Sequence, residues 1–217
     1  MCSSDLKDAF RYFSEEIDEF IFCDLKYKFN FENLNRFSIK NNKYEDISFT
    51  LKPGVRIIDH TVNPTNIKLV PAEYTKTVKN KISNKTNKII FKMQSGQNCL
   101  DDFNDEEINV FFHRGDSEGE GGSDLHFFSN EKNCDGSADN LYSKLIHKLA
   151  PVSFVVSDGS NNSIIGKRKF DFKDMTEEQI QSEMIGKKFT HDNLEWTCRR
   201  RLSDRYGPTF VWEVIKK

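Results

Sequence analysis

The acidic glycine loop, residues 116–124, holds the residue types that bind a divalent cation. Four carboxylates occur in it, at Asp116, Glu118, Glu120 and Asp124. Three glycines stand among them, at Gly119, Gly121 and Gly122. Glycine permits tight turns of the backbone, and clustered carboxylates repel one another unless a cation or a basic group lies between them. Because Mg²⁺ and Mn²⁺ prefer oxygen ligands, the loop is predicted to hold one of these metals as a cofactor.

Three apolar runs end at an aspartate: FIFCD at Asp24, VFFHRGD at Asp116 and FVVSD at Asp158. In open parallel α/β sheets, ligands bind outside the carboxyl ends of the strands. If the three runs are parallel neighbours, their carboxylates converge with those of the loop into one metal site. The alternative is structural, because acids commonly form turns and cap helices where strands end.

Basic and glycine residues beside these acids complete the candidate site. His113 is a candidate general base or metal ligand, and Arg114 is a candidate bidentate clamp for phosphate. Gly159, after Asp158, belongs to a predicted turn whose backbone N–H groups suit a small polar ligand. The alternatives are a hydrogen-bonded structural histidine, an arginine that neutralises the acids and an ordinary turn. The chain has neither the GxxxxGK[ST] nor the GxGxxG phosphate-binding motif.

Charge is segregated along the chain although the net charge is only −2. Residues 101–124 contain nine acids and one base, whereas residues 76–92 contain six lysines and no acid. Further basic runs lie at 167–169 and 199–201. Basic flanks around an acidic centre suit a metal site that acts on a nucleotide or nucleic acid, although solvated faces and a protein partner are alternatives.

Cysteine usage and hydropathy indicate a cytoplasmic protein. The five cysteines are an odd number without a CxxC pair, which favours reduced thiols over a disulfide scaffold or a zinc ribbon. No apolar run approaches the roughly 18 residues of a membrane helix, so no membrane association is predicted.

Hydrophobic periodicity predicts the elements that position these residues. A helix is predicted over residues 4–20, followed at once by a strand that ends at Cys23. The run at 108–112, an amphipathic helix at 141–149 and the run at 152–156 are typical of a parallel β-α-β crossover. A capped helix from Thr176 and two alternating strands predict a C-terminal hairpin with a buried aromatic face.

The predicted fold is therefore α/β, with a Rossmann-like, largely parallel sheet, flanking helices and a C-terminal antiparallel β-hairpin. One domain is expected over residues 1–217, with 175–217 as a possible helix-plus-hairpin extension. The predicted function is divalent-metal-dependent hydrolysis of a phosphoester in a nucleotide or nucleic acid. Two alternatives stay open: a non-catalytic Rossmann-like module that binds a nucleotide or protein, and a degenerate methyltransferase-like domain.

Overall fold

A computed structural model shows a mainly β protein that divides into two compact units, Met1–Cys99 and Leu100–Lys217. Each unit is described by itself, and the single domain expected over the whole chain stays a prediction. The structure describes residues 13–23, 44–52, 55–58, 67–70, 73–92, 96–115, 141–159, 169–203 and 208–217.

The N-terminal unit contains a four-stranded sheet and a separate pair of strands. Its described strands are β1 (Glu19–Cys23), β2 (Tyr44–Lys52), β3 (Val55–Ile58), β4 (Ile67–Val70), β5 (Glu73–Asn80) and β6 (Thr86–Lys92). The sheet has the order β1-β6-β5-β2, in which β1 is parallel to β6 and the other pairs are antiparallel. Strands β3 and β4 form the antiparallel pair. A short helix, α1 (Gly96–Leu100), follows β6.

One face of the four-stranded sheet is buried and rich in aromatic residues. Along β5 the side chains alternate, with Tyr74, Lys76, Val78 and Asn80 buried. The Phe91 ring on β6 lies between those of Phe22 and Tyr74, at centroid distances of 5.5 and 5.6 Å. Period-two alternation with one buried face is typical of an antiparallel sheet. The lysine-rich segment thus forms an interior strand.

The C-terminal unit is built on a five-stranded sheet. Its described elements are β7 (Ile108–Gly115), α2 (Leu141–Lys148), β8 (Leu149–Gly159), α3 (Glu177–Glu183), β9 (Lys188–His191), β10 (Leu194–Ser203) and β11 (Pro208–Lys216). The order is β7-β8-β11-β10-β9. Strand β7 is parallel to β8, and every other pair in this sheet is antiparallel. The predicted β-α-β crossover at β7-α2-β8 is confirmed.

The core of this unit is a single apolar cluster between the sheet and its helices. Trp196, Phe210 and Trp212 are fully buried in it, with Leu145 from α2 and Met184 beside α3. The Phe189 ring stacks on Trp196 at 5.6 Å and meets Trp212 edge-on at 5.3 Å. The predicted aromatic face of the hairpin is confirmed.

The start of α3 agrees with its sequence pattern. Thr176 accepts a hydrogen bond from the Gln179 backbone N–H, and the Gln179 side chain accepts one from the Thr176 backbone N–H. This reciprocal pair satisfies two N–H groups that the first helical turn leaves free. The predicted capping box is confirmed.

The predicted Rossmann-like fold is wrong. The two larger sheets are mixed, each with one parallel pair, and the described residues contain only three helices besides a single turn at 13–16. Continuous apolar runs indicated parallel strands covered on both faces. Instead, short turns join β5 to β6 and β9 to β10, and a short turn can connect only antiparallel partners.

Two further predictions need correction. Residues 4–12 of the predicted first helix lie outside the described residues, and Phe20 lies in β1, so the helix does not reach it. The C-terminal hairpin is a three-stranded meander, because β9 also pairs with β10. The turn between them holds Asp192 at φ 48° and Asn193 at φ 63°, as a type I′ hairpin requires. Since β11 also pairs with β8, the hairpin is part of the five-stranded sheet.

Candidate functional site

The parallel pair β7–β8 brings together two of the three strand ends that carry predicted site residues. Across this pair His113 lies opposite Ser157, Arg114 opposite Asp158, and Gly115 opposite Gly159. Both strands therefore end in register at a glycine, and the chain leaves both at the same end of the sheet. The acidic glycine loop follows β7 directly in sequence. This arrangement defines the candidate site, which we call the β7–β8 end.

Packing inside the C-terminal unit fixes the position of this end. Phe111 on β7 packs against the apolar core, and its register partner Val155 on β8 is fully buried. Ile108, at the start of β7, is also buried, so the strand is anchored at its beginning and in its middle. A one-residue slip would exchange the two faces of the strand and expose these side chains. The register of Arg114 with Asp158 is thus held by apolar packing.

The predicted site residues fall into two groups. The backbones of His113, Arg114, Asp158 and Gly159 lie at the β7–β8 end. Asp24 and the acidic glycine loop, with its carboxylates and glycines, lie outside the described residues. Their predicted metal-binding and ligand-binding roles stay predictions.

The expected convergence of three strand ends at one sheet edge is wrong. Asp24 follows β1, which pairs with β6 in the sheet of the N-terminal unit. Strands β7 and β8 belong to the other sheet. The strand before Asp24 consists of the same kind of apolar run as the other two. The runs alone therefore could not indicate which strand belongs to which sheet. Of the three strands that precede or contain these aspartates, only β7 and β8 are neighbours.

The β7–β8 end continues across the sheet to a basic segment of β10. One row of register partners runs Phe112, Val156, Val211, Arg200, and the next runs His113, Ser157, Phe210, Arg201. Because β11 is antiparallel to both β8 and β10, the latter two run in the same direction. The carboxyl ends of β7, β8 and β10 therefore lie at the same end of the sheet.

A β-bulge in β10 gives three consecutive arginines different surroundings, because only the bulged residue is ion-paired. Pairing with β11 passes from Cys198 to Arg200, and Arg199 is the extra residue. The Arg199 guanidinium donates from Nε to Glu213 Oε2 at 3.0 Å and donates again from Nη2. Arg200 and Arg201 are exposed, and neither forms a salt bridge or a side-chain hydrogen bond with another described residue. Their charges thus remain available to a ligand.

The bulge also changes the charge pairs that form across the hairpin. Strict alternation along the two strands predicts that Glu195, Arg199, Arg201 and Glu213 share one face and pair across it. The Arg199–Glu213 pair forms, but one extra residue moves Arg201 opposite Phe210. Glu195 pairs with Lys188 and Lys217, and their hydrogen bonds hold the pKa of this partly buried carboxyl below its ordinary value. A bulge interrupts the period of two along a strand, and alternation in the sequence does not reveal it. The sequence therefore gave no sign that Arg200 and Arg201 have no acidic partner among the described residues.

Several buried ionisable groups in the C-terminal unit are kept neutral by their surroundings. Burial raises the pKa of the Cys198 thiol to about 12, so the thiolate that a nucleophile requires is disfavoured. Burial, with a smaller effect of the Asp192 charge, also raises the pKa of Tyr142. These groups belong to the core. No set of three or more His, Cys, Asp or Glu side chains within the described ranges is placed to hold a metal ion.

Comparison of the chain with family models, with curated proteins and with solved structures found no match. Within the described ranges, no helix is both long and apolar enough to cross a membrane. Any role for the candidate site must therefore be inferred from the residues of this chain.

Proposed function

We propose that this protein hydrolyses a phosphoester with a divalent cation held at the β7–β8 end. The observation that carries the proposal is the register of Arg114 with Asp158, beside strands that both end at glycine. It supports the proposal because the acidic glycine loop and the Asp158–Gly159 segment follow or end neighbouring strands. Apolar packing of β7 and β8 on one core supplies the rigid base that a catalytic site needs.

The proposed roles follow from the residue types. Asp158 and the carboxylates of the acidic glycine loop would hold Mg²⁺ or Mn²⁺ through oxygen ligands. When bound, the cation would supply charge stabilisation for the phosphoryl group and a water of lowered pKa. Arg114 binds the phosphate bidentately, and His113 accepts the proton of the attacking water. Gly159 and the loop glycines let the backbone approach the ligand closely.

The fold that both Rossmann-like alternatives assumed is not the one observed. Both the nucleotide-binding or protein-binding regulatory module and the methyltransferase-like domain presupposed a largely parallel sheet with flanking helices. The mixed sheets exclude that premise for the described residues. A non-catalytic role at the β7–β8 end remains an outcome of the experiment below, because metal binding without hydrolysis would reveal it.

The test combines metal titration with hydrolysis of a small chromogenic phosphodiester. Calorimetry measures Mn²⁺ binding to the wild type, to Asp158→Asn and to Asp174→Asn. Asp174 is an exposed residue between β8 and α3, so its variant makes the same charge change elsewhere in the unit. We expect Asp158→Asn to weaken Mn²⁺ binding by at least about 10-fold, as is typical for losses around a metal site. Asp174→Asn should bind as the wild type does.

The loop is tested by a second variant, Asp116→Ala combined with Glu120→Ala. We expect it to lose hydrolysis of the phosphodiester while its far-UV circular dichroism stays that of the wild type. Full activity in this variant, or a wild type that does not bind Mn²⁺, contradicts the proposal. Tight Mn²⁺ binding without hydrolysis of any phosphodiester would retain the site and reject the enzyme.

A further inference from the structure

A short segment before α3, residues 169–175, packs on the core of the C-terminal unit where β9 forms the edge of the sheet. We call this segment the strap. The Phe170 ring lies 5.9 Å from that of Phe172 and 6.2 Å from that of Phe189 on β9, measured between centroids. Phe189 in turn stacks on Trp196. The strap therefore holds two phenylalanines against the margin of the aromatic core.

A polar contact fastens the beginning of the strap to the end of β9. The Nζ atom of Lys169 lies 3.5 Å from Nδ1 of His191. Because an ammonium group only donates hydrogen bonds, Nδ1 accepts in this contact, and the neutral ring carries its proton on Nε2. That nitrogen lies 3.7 Å from a carboxylate oxygen of Asp192. The imidazole thus lies between a cation and an anion.

The neighbours that α2 and β10 place at this imidazole carry no charge near neutral pH. The Tyr142 ring of α2 lies 5.2 Å from the His191 ring. Burial, with a smaller effect of the Asp192 charge, raises the pKa of this phenol, so it stays protonated where histidine titrates. The register partner of His191 on β10 is the buried Leu194. A positive charge on the ring is therefore opposed by Lys169 and matched by Asp192.

We infer that His191 is a pH-dependent switch, which fastens the strap while its ring is neutral and releases Lys169 when its ring is protonated. Protonation puts a hydrogen on Nδ1, which removes the acceptor of the lysine and sets two cations side by side. The same charge strengthens the attraction to Asp192, so the histidine keeps its position while the lysine leaves. Histidine ordinarily changes charge between about pH 5 and 8, and release is expected as pH falls through that range. The inference is independent of the proposed hydrolysis.

NMR of the ring nitrogens in the full-length protein tests the state of the switch. The spectrum of His191→Gln identifies the signals of this ring. We expect the wild-type ring to carry its proton on Nε2 alone at about pH 7.5, and on both nitrogens in an increasing fraction of molecules towards about pH 5.5. A neutral ring protonated on Nδ1, or a ring that does not titrate between these values, overturns the inference.

Hydrogen–deuterium exchange followed by mass spectrometry tests whether the strap is released. The strap contains an amide that is bonded within it, because the Met175 N–H donates to the Phe172 carbonyl at 3.2 Å. After correction for intrinsic exchange, we expect protection of the strap to fall roughly 2- to 5-fold from about pH 7.5 to about pH 5.5, the size typical of an exposed charged contact. Protection of α3 is the internal reference and should not change.

Three variants assign this response to the contact. In His191→Gln and in Lys169→Gln, protection of the strap should be the same at both pH values, because one partner of the repulsion is absent. Lys169 is exposed, so its variant keeps the fold even if the histidine variant does not. The control is His147→Gln, which removes an exposed histidine of α2 and should respond as the wild type does.

Equal protection of the wild-type strap at both pH values contradicts the inference. A response that persists in Lys169→Gln also contradicts it, because the histidine would then act through another group. Loss of the response in His147→Gln would assign it to the wrong histidine and likewise reject His191 as the switch.

Discussion

The two units of this chain bury different kinds of side chain beneath their sheets. In the C-terminal unit a continuous cluster of apolar and aromatic residues fills the core, with Trp196 and Trp212 at its centre. In the N-terminal unit the buried face also carries Lys76, Asn80 and Asn87. The first core is held mainly by non-directional apolar burial, whereas the second also depends on hydrogen bonds that fix where individual chain segments lie.

Hydrogen bonds of the N-terminal unit attach the segment before β1 to the β5–β6 hairpin. The Asn87 amide donates to the backbone carbonyls of Ser14 and Ile17 at 2.8 and 2.7 Å. The Asn80 amide donates to Glu15 at 2.7 Å, and Lys85 donates to the Glu15 carbonyl at 2.7 Å. A few polar side chains therefore determine the approach of a whole segment, which places β1 parallel to β6.

Lys76 shows how the N-terminal sheet accommodates a charge beneath it. Its side chain is 5% exposed, and its Nζ lies 2.8 Å from a carboxylate oxygen of Asp46, which is 63% exposed. Burial, with a smaller effect of the Asp46 charge, raises the pKa of nearby Tyr74 to about 12. The lysine stem lies in the core while its ammonium reaches a carboxylate at the margin, as long basic side chains commonly do.

The largest effect is expected from truncation of the aromatic core. Trp212→Ala should destabilise the C-terminal unit by about 3–5 kcal/mol, because it leaves a large cavity among fully buried neighbours. Urea unfolding followed by tryptophan fluorescence measures this, since both tryptophans of the chain lie in this unit. Trp212→Phe should cost less, because it keeps most of the apolar volume. A loss below about 1 kcal/mol in the alanine variant would show that the cluster does not hold this unit together.

A smaller effect is expected from the polar core of the N-terminal unit. Asn87→Ala removes two hydrogen bonds and leaves two backbone carbonyls without that donor, so a loss of about 1–3 kcal/mol is expected. Hydrogen exchange should show faster opening of β1 amides than of β5 amides. Equal exchange in the variant and the wild type would contradict the proposed attachment of the segment.

Ser153 in the C-terminal unit provides the matched comparison for Asn87. Its hydroxyl is fully buried and has no hydrogen-bond partner among the described residues. Ser153→Ala should therefore be neutral or slightly stabilising, because it removes a desolvated polar group without leaving another unsatisfied. Urea unfolding of the two alanine variants side by side tests the comparison. A greater loss for Ser153→Ala than for Asn87→Ala would reverse it.

The smallest effect is expected from pH, at an exposed ion pair of the C-terminal unit. Lys148 Nζ donates to Asp105 at 2.9 Å, and this hydrogen bond lowers the pKa of the carboxyl from its ordinary value of 3.8. The folded pKa is below the unfolded one, so the stabilisation is present above pH 3.8 and is lost as pH falls through the folded pKa. Urea unfolding of wild type and Lys148→Gln at pH 6 and pH 3 should differ more at pH 6. An equal difference at both values would show that the pair does not stabilise the fold.

Local patterns in the sequence predicted most elements of this protein correctly. Alternation in Trp196, Cys198, Phe210 and Trp212 located the buried face of the hairpin, since each of these residues is buried. The Thr176–Gln179 spacing located the start of α3. The order of strand, helix and strand predicted that β7 is parallel to β8. These features depend on neighbours within a few residues, or on one short connection.

Features that depend on distant partners were not determined by the sequence pattern. The strand before Asp24 looks like those before Asp116 and Asp158, and only pairing with β6 assigns it to another sheet. The position of Lys76 inside its sheet and the charge left on Arg200 and Arg201 likewise depend on strand pairing and on one bulge.

The sequence by itself determined the strands and helix of the β7–β8 crossover, the apolar face of the hairpin and where acids and bases cluster, because these follow from side-chain periodicity and composition. Tertiary structure alone decided which strand ends meet, because strand order is set by packing between segments far apart in the chain. In this protein that choice put Arg114 in register with Asp158, assigned the strand before Asp24 to another sheet, and made β10 parallel to β8.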